Sequence, residues 1–207
     1  MKYVNAVLGR NCYEELAPLF AKTNNPSKEI SESYGAFHHM RNSLAKDNLK
    51  LDDFFFLHIG DGSTGRTGAL FTFMSKSANI SIDPATNKDF MARWRFQFKV
   101  KNYEAVKSTW QKYRPNFILD KVSYNKPNLG IVLVHSHVRT IDIMNAFQDW
   151  KYIYVNKCCD PANQLLTTQQ MEKLNIGVCI SGSDNMILSQ EKDVIVYRNN
   201  KMFEESE

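Results

Sequence analysis

Residues 54–65 read Phe54-Phe55-Phe56-Leu57-His58-Ile59-Gly60-Asp61-Gly62-Ser63-Thr64-Gly65, and residues 79–84 read Asn79-Ile80-Ser81-Ile82-Asp83-Pro84. An apolar strand runs into a G-x-G-x-x-G turn. A helix-compatible stretch over 65–76 follows, and a second strand over 78–83 ends on a carboxylate, 18 residues after Gly65. Each part has a separate physical task at a nucleotide-type cofactor. Glycines let the backbone turn sharply and approach a ligand, the helix start offers N–H groups, and the acid accepts hydrogen bonds from ribose hydroxyls. A tight turn in a scaffold that binds nothing is the bland alternative.

The flanking sequence alternates in the same way. Strand 53–59 precedes the turn, and Arg95–Val100 alternates as a third strand. Residues 103–113 read as helix. Gly130-Ile131-Val132-Leu133-Val134-His135 is nearly all apolar, as a strand buried on both faces should be. Helix 140–149 and strand 152–157 follow. This βαβ series predicts a doubly wound, mostly parallel sheet with helices on both faces. Ile176–Ile180 and Val194–Arg198 read as an antiparallel pair at one edge, joined by a polar connection over 181–193. Upstream, 11–23 can form a short helix. A second helix opens at Ser27, with Ile30, Tyr34, Phe37, Met40 and Leu44 on one face. The expected organisation is a single domain over 1–207: N-terminal helices over 1–50, the α/β core over 51–200 and a tail over 201–207.

Composition bounds the class. The chain has 207 residues, 43% of them hydrophobic and 23% charged. That is enough for one domain with a real core. It has no apolar run long enough to span a membrane, and its first residues lack the apolar segment of a secretory signal. The four cysteines, Cys12, Cys158, Cys159 and Cys179, show no disulfide spacing, so a cytoplasmic, reducing setting is expected. Asn79-Ile80-Ser81 matches a glycosylation sequon but falls in an expected buried strand. The net charge is +4, yet residues 88–126 hold ten cations against three anions. Aromatic residues interleave with those cations, which is the composition of a surface that neutralises phosphates and stacks on bases. RNA is the partner class this segment points to, with Arg93 and Arg95 as contacts. The competing reading puts Phe96 and Phe98 in the core under a solvated basic face.

Strand ends carry the remaining candidates. His135-Ser136-His137 closes the fourth strand and Cys158-Cys159 the fifth, where a doubly wound sheet places its ligand crevice. Alternation would turn His135 and His137 to one face and Ser136 to the other. Three readings remain open: a proton-handling acceptor side built on the histidines, a metal held by His and Cys, and plain packing of small buried groups. His38 and His39 lie on the N-terminal helix, where at most one can face the site.

The stretch His58–Gly65, with Ile82-Asp83-Pro84, resembles the first two motifs of class I S-adenosylmethionine-dependent methyltransferases. The antiparallel C-terminal pair resembles that family's last strands. The resemblance implies a Rossmann-like fold and S-adenosyl-L-methionine as cofactor. His58, Gly60, Asp61, Gly62, Ser63 and Gly65 would line the cofactor and Asp83 would hold its ribose. Beside the resemblance, the strand-end position makes His135 and His137 the candidate catalytic groups, with Ser136 and Cys158 toward the acceptor. The chain departs from the pattern at His58, where the family usually has an acid, and at its third glycine, which falls one position late. Two other classes stay open: a non-catalytic protein of this fold that binds nucleic acid or a partner protein, and an NAD-dependent oxidoreductase. Asp83 disfavours a 2′-phosphate and so NADP.

Overall fold

The computed structural model describes residues 1–114, 125–157 and 165–204. The N-terminal part forms three helices, α1 (Lys2–Leu8), α2 (Tyr13–Phe20) and α3 (Pro26–Lys46). The alternating part follows as β1 (Phe54–Ile59), α4 (Arg66–Met74), β2 (Ala78–Ile82), α5 (Lys88–Gln97), β3 (Tyr103–Val106), α6 (Trp110–Tyr113) and β4 (Asn128–Val134). It continues with α7 (Thr140–Ala146), β5 (Trp150–Asn156), α8 (Thr168–Leu174), β6 (Ile176–Ser183), β7 (Asp193–Asn199) and α9 (Lys201–Glu204).

The strands form one seven-stranded sheet in the order β3-β2-β1-β4-β5-β7-β6. β1 to β5 are parallel, while β7 runs antiparallel to both β5 and β6. The doubly wound sheet with its C-terminal antiparallel pair is therefore as expected. The strand order reverses between β1 and β4, the position at which such sheets open their crevice.

β1 is buried along its whole length, yet it still obeys the period of two. Phe54 and Phe56 pack with α1 to α5 on one face, while Phe55, Leu57 and Ile59 pack with Tyr113, Ile143, Met144 and Phe147 on the other. A run of consecutive apolar residues is what a strand between two helical layers requires.

Several element boundaries differ from the sequence reading. Residues 95–100 do not form a strand. Asn87 caps α5 by accepting from the Phe90 N–H at 3.1 Å, Met91 and Trp94 are buried at helical spacing, and Lys99 leaves the helix at φ +53°. The third strand is Tyr103–Val106, paired with Asn79–Ile82, where a helix was expected. The long N-terminal helix starts earlier than Ser27: Asn25 is its cap, accepting from the Lys28 N–H at 3.1 Å, with Pro26 in the first turn. α7 ends at Ala146 rather than 149. α1 and α8 were not expected, although Thr167 and Gln170 form a capping box at the start of α8. The tail contributes α9, whose Phe203 packs on Tyr152 and under the Arg198 guanidinium. No helix among the described residues is long and apolar enough to cross a membrane.

Candidate active site at the glycine turn

The turn between β1 and α4 is built on left-handed backbone. Gly60, Gly62 and Gly65 have φ of +77°, +72° and +52°, a region open to glycine at little steric cost. Two of them also permit close approach. A Cβ on Gly60 would lie 2.7 Å from Ser136 Oγ, and one on Gly65 would lie 2.0 Å from the Tyr103 hydroxyl. That hydroxyl donates to the Gly65 carbonyl at 2.7 Å. Gly62 is different: the nearest atoms that a Cβ there would meet are the flexible end of Arg66, from 3.4 Å, an ordinary contact, so its outer side can be approached.

Asp61 folds inward from the middle of the turn. Its carboxylate accepts from Thr67 N–H at 3.0 Å, from Gly68 N–H at 2.9 Å and from Ser81 Oγ at 2.7 Å. It therefore caps α4 from a distance, because Gly65 at the cap position has no side chain to do so. The sequence reading left these helix amides for a ligand, but two of them are already taken.

Asp83, at the end of β2, is half-buried. It accepts from Gly62 N–H at 2.9 Å and from Ala85 N–H at 2.6 Å. A carboxylate has about four acceptor positions, so two bonds leave capacity for ribose hydroxyls. Ser63 is exposed, and its carbonyl accepts from the Asn87 N–H at 2.9 Å.

His58 lies beneath the turn rather than in it. It is 1% exposed, its Nε2 pairs with Asn79 Oδ1 at 3.0 Å, and Phe71 meets its ring edge-on. Burial pushes its pKa down, and the nearby Asp61 only partly opposes this. His58 is thus a neutral strut between β1, β2 and α4. The sequon residue Asn79 is likewise fully buried.

Across the turn, β4 ends at Val134, and His135 adopts φ +48°. A bulky residue at positive φ is strained. The break stops the alternation expected over 135–137. Ser136 is buried against Gly60, and His137 is exposed. His135 Nε2 meets Glu32 Oε1 at 2.6 Å, and Lys28 Nζ reaches Glu32 at 2.9 Å. The Glu32 side chain is only 1% exposed. Burial alone would raise its pKa, but the hydrogen bonds and charges of His135 and Lys28 outweigh burial and hold it below its ordinary value.

Glu32 was missed by the sequence reading. The available signal was a lone acid inside the stretch Ile30–Phe37, which is buried throughout. The N-terminal helices also cover the turn. Arg66 makes a two-pronged contact with Glu29, and Thr64 Oγ1 donates to the Leu19 carbonyl at 3.2 Å.

The other described candidates lie on α5 and α3. Arg93 is exposed on α5 and Arg95 is half-buried beside it. Cys158, with Cys159, lies outside the described residues. Phe96, read as core, is 88% exposed. His39 pairs with Asp184 at 2.7 Å, and Tyr3 donates to the same carboxylate oxygen, so His39 ties α3 to the β6–β7 connection.

No family model matches the sequence, and no curated protein matches it. Comparison with solved structures shows the fold: it is like that of class I S-adenosylmethionine-dependent methyltransferases. A putative methyltransferase from Thermobifida fusca YX superposes with a TM-score of 0.52 at 14% identity, covering 95% of this chain and 93% of that one. A mutant of MtNAS in complex with S-adenosylmethionine gives a TM-score of 0.51 at 8% identity, covering 96% and 71%.

Proposed function

We propose that this protein is an S-adenosylmethionine-dependent methyltransferase with RNA as its acceptor class. One observation carries the reading. The first glycine of the turn packs directly on Ser136, so the Glu32–His135 pair stands beside the place where the cofactor would lie. The residues present fit that cofactor. The Gly62 backbone can be approached from outside, and Asp83 keeps free acceptor capacity toward a ribose. Gly60 to Gly65 would surround the amino-acid end.

When bound, S-adenosylmethionine supplies a methyl group already activated by its sulfonium charge. The chain then has two tasks, alignment and the handling of one proton. His135 accepts the acceptor's proton at a ring nitrogen. Glu32 fixes the plane of the imidazole and balances its positive charge. Lys28 keeps Glu32 ionised when His135 is neutral. Ser136 sets the distance between the turn and the acceptor side.

The RNA assignment is supported by the basic stretch 88–114 and by the exposed ring of Phe96 within it. A second reading, a non-catalytic nucleic-acid-binding protein of this fold, is favoured by the two α4 amides that Asp61 already occupies. Calorimetric titration with S-adenosylmethionine, S-adenosylhomocysteine and NAD separates the cases. Micromolar binding of the first two, with none of NAD, supports the methyltransferase. Binding of NAD alone supports an oxidoreductase. No binding of any of the three sinks both enzyme readings.

A further inference from the structure

The end of the sheet opposite the glycine turn holds a second polar surface. A cavity of about 770 Å³ opens between the α1–α2 turn, the C-terminal half of α3 and the segment leading into β1. Arg10, Arg41 and Lys50 line it. A neighbouring cleft of about 320 Å³ lies before β3 and is lined by Lys99 and Lys101. Phe73 borders both.

The charge of this surface is one-sided. All five cations are exposed, and none has an ion pair among the described residues. Among the described residues the one carboxylate in the two linings is Asp52, which accepts from the Lys76 N–H at 3.0 Å. Arg10, Arg41 and Lys50 share the larger lining with that acid, and Lys99 and Lys101 line the smaller cleft without one, so the surface carries a net positive field that attracts anions. Aromatic rings sit among the cations. Phe37 and Phe73 line the larger cavity and Phe98 the smaller. Phe96, three residues before Lys99, projects into solvent with Arg93 one turn earlier on α5.

We propose that these neighbouring clefts hold a single-stranded polynucleotide, with the cations on its phosphates and the exposed ring of Phe96, beside the smaller cleft's Lys99 in sequence, against a base. Cations distributed over two adjoining clefts suit a chain of phosphates better than a single anion. The surface is remote from the chemistry. Glu32 and Arg41 are nine residues apart on α3, about 14 Å along its axis, so the strand would be gripped at one end of the domain and presented at the other. This deepens the RNA reading above. Binding is measured without cofactor, so the surface and the methyl transfer can fail separately.

The test is fluorescence anisotropy of labelled oligouridine and oligodeoxythymidine with the full chain, between about 50 and 200 mM salt. The expected result is binding that falls steeply with salt for both strands, since neither a cation nor a ring distinguishes a 2′-hydroxyl. R41A and K99A should each weaken binding about three- to tenfold, and each lost phosphate contact should lower the salt slope by about 0.7. F96A should weaken binding with no change in that slope. The exposed K173A on α8 serves as the control and should bind as the parent does. These side chains are exposed, so unchanged thermal melts are expected for every variant. An R41A/K99A double variant that binds like the parent would overturn the proposal. So would binding to phosphatidylserine vesicles with none to either oligonucleotide.

Discussion

Glu32 and His135 stand 103 positions apart in the chain and meet at 2.6 Å, carboxylate oxygen to ring nitrogen. The contact joins the first third of the sequence to the end of the central strand β4. It places a charge that is 1% exposed against a histidine whose backbone is held at φ +48°. Buried charge and positive φ both cost free energy, and such costs gather where a structure handles chemistry.

Replacing the pair separates its two roles. His135→Ala should lower kcat by about 100-fold or more, the usual contribution of a general base. Glu32→Gln preserves the shape and should lower kcat about 10- to 100-fold through misorientation, with KM for S-adenosylmethionine little changed. It should also displace the acid limb of the pH–rate profile, which a purely structural role would leave in place. Steady-state kinetics across pH reads both.

The same carboxylate predicts a pH dependence of stability. The fold holds the Glu32 pKa below that of the unfolded chain. Its contribution is therefore complete above about pH 4.3, the unfolded value, and is lost as pH falls through the folded value. The urea midpoint of the parent should drop more steeply than that of Glu32→Gln as pH falls from about 5 to about 3. Parallel curves would mean that Glu32 titrates alike in both states.

Gly65 and Tyr103 form a testable couple. Gly65→Ala puts a methyl 2.0 Å from the Tyr103 hydroxyl, on backbone at φ +52°. The expected loss is about 2–4 kcal/mol. Tyr103→Phe removes the hydroxyl and its bond to the Gly65 carbonyl, at about 1 kcal/mol. The double variant should be less destabilised than the sum, since the hydroxyl is half of the clash. Additive losses in denaturant titrations would locate the strain elsewhere.

The two aspartates of the turn should respond differently. Asp61→Ala strands two α4 amides and the Ser81 hydroxyl, costing about 2–3 kcal/mol and lowering Tm by roughly 5–10 °C. Asp83→Ala should weaken S-adenosylmethionine more than about tenfold, or 1.4 kcal/mol, with a smaller change in Tm. Calorimetry and thermal melts on both variants decide the assignment.

Much of this architecture is readable from the chain, and the exceptions have physical causes. The order from β1 to β2, the buried β4 and the edge pair β6–β7 follow from apolar runs and turn residues, which are local signals. The β3 region misleads because Phe96 and Phe98 alternate with polar residues as a strand would. Phe96 turns to solvent instead, while Met91 and Trp94 give the helix its buried side. Tyr103, read as helical, belongs to a strand because Asn79–Ile82 supplies its partner, and pairing is not a local property. The glycines and Asp83 were visible as a motif, whereas the capping by Asp61 depends on how the turn folds back. Glu32 could not be joined to His135 from sequence, because nothing local marks a contact across half the chain.

The sealing of α3 has a consequence for how the protein forms. Ser31 Oγ accepts from the Leu188 N–H at 2.8 Å, Tyr3 reaches Asp184, and Gly35 sits against Ile187. Elements made early on the ribosome therefore wait for residues near position 188 before they can exclude water. Such pairings between distant parts of a chain slow folding, and they leave apolar surface exposed in the interval. In pulsed hydrogen-exchange labelling during refolding, the amides of α3 should gain protection no earlier than those of β5 and β7. The first long helix to be synthesised is then among the last elements to become native.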